Sequence, residues 1–482
     1  MLPIRFAERE FYNSFLGLRK SFLTSKSTFR GYFINLMAMQ YSCLSEVADC
    51  LGLTAQKKTI KGFAFDSRLV QEGHLFFALK GERSDGHDFL KDVAAEGGVG
   101  AVVDRAYAGE TCGLILLRVD DVTAALQKLA QEIQKKRKQR IVAVTGSVGK
   151  TTTKEFLATL LAQKYTVAKT PGNSNSQVGL PLALLNDPGI SEFFVVEMGM
   201  EQAGEISKLV NMAPPELAVI TKITHQHQRH FPEGIEGIAA AKAEILQHPN
   251  TKLGVVNVRA MQYSSIRNNG LCRKVTFGIE PDQADFVLRP GWIIQQDEES
   301  SSTIRLPFSE LHLCEDFIAA AAAARLLGLD GSHLIAGAQG LKSIKLRFEK
   351  VEKNGILFIN DCYNAEPESM QAAVNHIPQP SFGGKTIAVL GEMTELGSYT
   401  DEGHRVVAHA AISKVDHLLC YGKGCWPMVE IFNQAGKPVD LFRDMKALKQ
   451  TLFEISKTGD VVLIKGSNGN KLWQLLEEPF PL

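Results

Sequence analysis

Short runs of β-branched and other apolar residues recur along the chain, each followed by a segment with helical spacing. "HLFFAL" and "VGAVVD" read as strands, "LSEVADCLG" as a short helix, and "VTAALQKLAQEIQKKRKQR" as a longer helix with a basic end. That end reads as a solvated helix terminus and linker. A new unit opens at Arg140 with "RIVAVTG", and "FFVVEMG", "LAVITKI" and "KLGVVNV" follow as further strands with helical stretches between them. Strand-helix alternation of this kind predicts an α/β fold with a doubly wound parallel sheet. "DFIAAAAAARLLGL" is a strong helix former whose alanines permit close packing on a sheet. From about Leu346 a third alternation begins, with "GILFIND", "KTIAVLGEM", "HLLCYG" and "VVLIKGS" as strands.

These patterns divide the chain into an extension (1–38), a first domain (39–136), a central domain (137–345) and a last domain (346–482). At 482 residues a single core is not expected. The extension is rich in Phe, Ser and basic residues, lacks a clean apolar core, and reads as poorly ordered or as a non-native start.

Composition narrows the classes. Hydrophobic residues make up 45% and charged residues 22%, and the 53 basic side chains balance the 53 acidic ones. No global basic field points to nucleic acid. No apolar stretch reaches the length of a membrane span. The eight cysteines contain no CxxC pair, so they read as reduced thiols of a cytoplasmic protein.

The chemistry-bearing residues cluster after strands. "TGSVGKTT" joins a strand to a helix, so Gly146, Ser147, Val148 and Gly149 can wrap a phosphate with backbone N–H groups. Lys150 then reaches outer phosphates, and Thr151, followed by Thr152, offers a hydroxyl to Mg²⁺. Kinases, ATPases and ATP-driven ligases all use such a loop. Glu197 ends a predicted strand on the same edge and can hold Mg²⁺. His225, His227 and His230 follow another strand. They read as loop histidines, as a zinc-hydrolase cluster, or as one further metal ligand. Lys242 lies on an alanine-rich helix that leaves room to enclose it.

Taken together these residues resemble the Mur ligases, over about Tyr41 to Leu476, and among them the type that adds D-alanyl-D-alanine. "FDSRLVQEGHLFFALKGERSDGHDF" is similar to the segment that binds the UDP-sugar, which implies substrate roles for Ser67, Arg68, Asp85, Gly86 and His87. "TGSVGKTTTKE", "GNSNSQVGLP" and "LGEMTELG" also match, and the second places Asn173 and Asn175 toward substrate. "EMGMEQAGEI" and "KITHQH" imply Glu197 and His227 as metal ligands. Lys242 falls where the family often carries a carbamylated lysine. In "LRFE" and "INDCYNAEPESMQAA", Arg347 and Asp361 are implied at ATP and Asn364 at the active site.

The resemblance implies three domains: a UDP-substrate domain, a central P-loop domain and a C-terminal Rossmann-like domain that closes on ATP. It implies ATP and Mg²⁺ as cofactors. UDP-N-acetylmuramoyl-tripeptide and D-alanyl-D-alanine are the implied substrates of a monomer that forms an acyl phosphate and then an amide. Lys150, Glu197, His227 and Lys242 carry the implied catalysis. Leu313 and Asp316 stand where the family has two asparagines, and an ionised Asp316 has no donor to offer adenine.

Overall fold

The computed structural model describes residues 41–477, apart from 82–83, 226–229, 290–291, 296–300, 343, 382 and 395. The extension and His227 therefore lie outside the described residues.

Three sheets follow one another. The first is four-stranded and parallel, β1 (Gly62–Ala64), β2 (His74–Phe77), β3 (Gly100–Asp104) and β4 (Ile115–Val119) lying in sequence order. Because its strands are parallel and adjacent, the segments after β1 and β2 emerge at one edge. Residues 66–68 and 85–87 are those segments.

The central sheet has nine strands in the order β13-β12-β11-β10-β9-β8-β5-β7-β6. Its middle is β5 (Arg140–Thr145), flanked by β7 (Phe193–Glu197) and β8 (Leu217–Ile220). All three are parallel and almost wholly buried, as expected of strands covered on both faces. β6 (Val167–Lys169), β9 (Leu253–Asn257), β10 (Arg273–Ile279) and β11 (Phe286–Arg289) extend the parallel part. β12 (Trp292–Gln295) and β13 (Ser301–Thr303) add an antiparallel edge. β10 opens on two charged residues and β11–β13 are only three or four residues long, so a reading based on apolar runs did not mark them. The alanines Ala319–Ala324 are fully buried in the helix Leu311–Leu326, which packs against the helix Lys150–Leu161.

The third sheet runs β14-β15-β19-β16-β17-β18. β15 (Ile356–Asn360), β16 (Thr386–Gly391), β17 (His417–Tyr421), β18 (Val439–Phe442) and β19 (Val461–Lys465) are parallel, and β14 (Glu349–Lys353) is an antiparallel edge strand.

One expectation fails at the basic segment. Arg137 is not solvated: its side chain is 3% exposed and donates to the carbonyls of Leu184 (2.8 Å) and Asp187, with the Asp187 carboxylate 3.6 Å away. Arg140 pairs with Glu216 through two hydrogen bonds of 2.7–2.8 Å. The segment anchors the first sheet to the central one because a buried guanidinium caps carbonyls that would otherwise lack donors. The helix Val122–Lys136 and the helix Gly179–Asn186 share one hydrophobic core with both sheets. Asn186 adds a two-way clamp on the backbone of Phe63, each bond 3.0 Å.

Among the described residues no helix is long and apolar enough to cross a membrane, and all eight cysteines are free thiols.

Candidate active site

β5 lies between β7 and β8, so the loops leaving its C-terminal end and theirs converge where the strand order switches. The loop after β5 is Gly146–Gly149, and the helix Lys150–Leu161 starts from Gly149 in the left-handed region at φ +86°. Added Cβ atoms would fall 1.8 Å from Thr221 Oγ1 at Gly146 and 2.0 Å from Asp316 Oδ1 at Gly149. Glycine is required at both positions by space as well as by backbone angle.

Lys150 folds back on the loop, its Nζ donating to the carbonyls of Gly146 (2.9 Å) and Ser147 (3.0 Å). Thr151 Oγ1 donates to Glu197 Oε2 at 2.8 Å, and Asn175 Nδ2 donates to Glu197 Oε1 at 2.6 Å. Glu197 is 1% exposed, at the last position of β7. Lys154 is fully buried behind it, 4.0 Å from Glu197 Oε2, and donates to the carbonyls of Thr170 and Gly172. Burial lowers the Lys154 pKa, while Glu197 and Glu155 oppose that shift. Lys242 is enclosed on the other side of the loop and donates to Gly146 O at 2.9 Å. Burial, then the nearby Lys150 charge, push its pKa well below the usual lysine value.

The third unit delivers Arg347 to the same place. Leu346 and Phe348 both have positive φ, +62° and +50°, a costly backbone for non-glycine residues. The turn is held by Glu349, which accepts from Leu346 N, and by Asp361, which accepts from Phe348 N. Asp361 is itself paired with Lys465 at 2.7 Å. Arg347 lies over the Tyr363 ring at 3.8 Å, and its Nη2 donates to Thr151 Oγ1 at 3.3 Å. Its Nε is buried without a hydrogen-bond partner.

These groups border one cavity of about 500 Å³ between the central and third units. Ser147, Val148, Gly149, Lys150 and Thr152 form its floor, and Asn173, Asn175 and Glu197 one wall. Arg347, Asp361 and Asn364 line the side contributed by the third unit. Gly146, Thr151 and Lys242 stand immediately behind the floor. Ser67, Arg68, Asp85, Gly86 and His87 are not part of this cavity; they sit together at the edge of the first sheet. There Asp66 pairs with Arg68. His87 is buried, with Nδ1 2.5 Å from Asp85 and Nε2 accepting from Asp104 N.

A nucleotide with Mg²⁺ suits these residues. The glycine loop leaves no room for side chains, the helix N-terminus faces the cavity, and the Thr151 hydroxyl and Glu197 carboxylate form an adjacent pair of hard oxygen donors. The Arg347 guanidinium adds positive charge for an anion on the opposite wall. Among the described residues no group of three His, Cys, Asp or Glu side chains is placed to hold a metal.

Comparison with known proteins gives the family. Residues 59–165 match the catalytic domain of the Mur ligase family, residues 144–323 the Mur ligase middle domain, and residues 346–468 the Mur ligase glutamate ligase domain. The chain is 35% identical to the UDP-N-acetylmuramoyl-tripeptide–D-alanyl-D-alanine ligase of Bacillus subtilis, over 88% of this chain and 94% of that one. The chain belongs to the Mur ligase family.

Solved structures agree with the MurF type. The MurF ligase of Thermotoga maritima in complex with ADP is 30% identical, covering 86% of this ligase and 96% of its own chain, with a TM-score of 0.71. MurF from Acinetobacter baumannii is 28% identical, covering 92% and 97%, with a TM-score of 0.75.

Two side chains gain significance from the tertiary structure of the ligase. Asp316 is half-buried on the cavity wall, beside Thr152 and Thr153. Burial, then the Glu315 charge, raise its pKa well above the usual carboxylate value, against the pull of Arg347. A protonated Asp316 carries both a donor and an acceptor, as an asparagine amide does. Glu366, overlooked in the sequence, lines the cavity and is 4% exposed. The signal was present: "YNAEPESM" has glutamate where the family pattern "YNANPxSM" has asparagine.

Proposed function

We propose that this Mur ligase joins D-alanyl-D-alanine to UDP-N-acetylmuramoyl-tripeptide at the expense of ATP, producing the pentapeptide precursor of peptidoglycan, ADP and phosphate. The observation that carries this reading is the convergence of Lys150 and Glu197 from the central unit and Arg347 from the third on one cavity.

A carboxylate resists nucleophiles, and oxide is a poor leaving group. Transfer of the γ-phosphoryl group to the tripeptide carboxylate gives an acyl phosphate. Attack by the dipeptide amine then passes through a tetrahedral intermediate and expels phosphate. The loop N–H groups and Lys150 hold the phosphates, and Arg347 supplies charge from the opposite side. Thr151 and Glu197 would hold one magnesium ion, and His227 with a carbamylated Lys242 the other. Magnesium, when bound, would neutralise developing negative charge on the transferred group. The depressed Lys242 pKa favours this modification, since carbamate forms on a neutral amine. Closure of the third unit excludes water from the acyl phosphate. Asn173, Asn175 and Asn364 face the peptide, and the edge bearing Ser67, Arg68 and Asp85–His87 holds the UDP-sugar. Asp361 is assigned to the ATP ribose. The enzyme acts as a cytoplasmic monomer with no nucleic-acid partner.

ADP formation measured with UDP-N-acetylmuramoyl-tripeptide, with and without D-alanyl-D-alanine, tests the reading. Sustained turnover is expected only with both substrates. ADP release indifferent to either one, or a preference for a free diamino acid as acceptor, would overturn it.

A further inference from the structure

The dipeptide arrives as an ammonium ion, so something must take a proton before its nitrogen can attack. The carboxylates around the cavity differ in their burial and in what holds them. Glu197 is held by Thr151 and Asn175, and Asp361 by Lys465 and Phe348 N. Glu315 accepts from Asn257, and Glu205 accepts from the backbone of Glu201 and Gln202. Asp316 is packed against Gly149 beneath the phosphate loop.

Glu366 is placed differently. It enters from the third unit as the N-cap of the helix Pro367–Asn375. One carboxylate oxygen accepts from Thr224 Oγ1 of the central unit at 3.0 Å. The other has a long contact of 3.3 Å from Asn364 Nδ2, and the carboxylate also caps the backbone N–H of Ser369 in a capping box. Three charged groups face it: Lys150 at the start of the phosphate-loop helix, Lys242 on the helix Ile235–Ala243, and Glu368 on its own helix. Glu368 also lines the cavity, and its Oε2 is buried without a hydrogen-bond partner.

We propose that Glu366 is the general base that deprotonates the incoming dipeptide amine, resting on the ligase reaction proposed above. Its carboxylate takes one proton from the ammonium. The freed lone pair forms the C–N bond, the C–O bond to phosphate breaks with its electrons leaving on phosphate, and the nitrogen's second proton passes to that phosphate. Glu368, on the same cavity wall, draws the ammonium toward Glu366 by its charge. Burial raises the Glu366 pKa to about 7, which suits proton transfer near neutrality.

The test compares two nucleophiles in wild-type enzyme and in Glu366→Gln, which keeps an acceptor oxygen for the cap. Hydroxylamine is already neutral at pH 7 and captures an acyl phosphate without a base. With ATP and tripeptide, amide formation from D-alanyl-D-alanine is expected to fall about 100-fold, the lower end for losing a general base. Hydroxamate formation should change by less than about threefold. Glu366→Asp, which retains a carboxylate, should recover part of the amide rate. Equal losses with both nucleophiles, or an aspartate variant no better than the glutamine one, overturn the proposal and leave Glu366 a structural cap. Wild-type enzyme that makes hydroxamate but no dipeptide amide overturns the functional reading and this one with it.

Discussion

Glu366→Gln also makes a stability prediction that is independent of turnover. In the folded chain the Glu366 carboxyl titrates at about 7, against an ordinary 4.5, because it is fully enclosed between two units. The folded state therefore binds its proton more tightly than the unfolded state does. The contribution of that proton is complete below about pH 4.5 and is lost as pH rises through 7. Above that, the fold carries an ionised carboxylate in a site that resists it. At about 1.4 kcal/mol per pH unit, the gap is worth about 3 kcal/mol. Opening of the third unit offers a second escape from this cost, so the figure is an upper limit. Glutamine has no charge to lose. Melting of the two proteins should therefore be similar at pH 5, with the variant gaining as pH rises to 8. At roughly 2–4 °C per kcal/mol for a unit of 150–250 residues, the gain is at most about 6–12 °C. Differential scanning calorimetry across that range reads it. A pH-independent difference, or a wild-type chain that is the more stable at pH 8, would refute the burial argument.

Other outcomes follow from the same geometry. Lys150→Ala and Glu197→Ala should each lower turnover by at least about 100-fold, the usual scale for removing a preorganised electrostatic contact; near-normal ADP formation in either would detach that residue from the phosphate site. Gly149→Ala forces a side chain into the left-handed region, at about 1 kcal/mol or more, and sets its Cβ 2.0 Å from Asp316 Oδ1. Nucleotide binding measured by calorimetry should be lost before the fold is, and unchanged affinity would contradict the steric reading. Lys242→Ala should lose activity and regain part of it with short carboxylic acids, and intact mass spectrometry should find a carbamate only in wild type; neither rescue nor carbamate would leave Lys242 an ordinary buried lysine.

The chain's own pattern was enough for its architecture. Apolar β-branched runs at "RIVAVTG", "FFVVEMG" and "VVLIKGS" are strands because parallel strands buried on both faces need such residues. The phosphate loop was legible because Gly146, Gly149 and Lys150 are contiguous, so their geometry is local. Short strands such as β11, β12 and β13 were not legible, since runs of three or four residues carry too little periodicity to mark a strand. Arg137 read as a solvated charge because nothing nearby in sequence announces the carbonyls of Leu184 and Asp187, about fifty positions away. Three-dimensional packing alone decided that Glu366 meets Thr224, that Arg347 meets Thr151, and that Asp316 lies under Gly149. The first two pairings depend on how separate units close on each other, and the third on two helices packing within the central unit. Burial, which shifts the pKa of Glu366, Asp316 and Lys242, is a property of the packed tertiary structure and of no single segment.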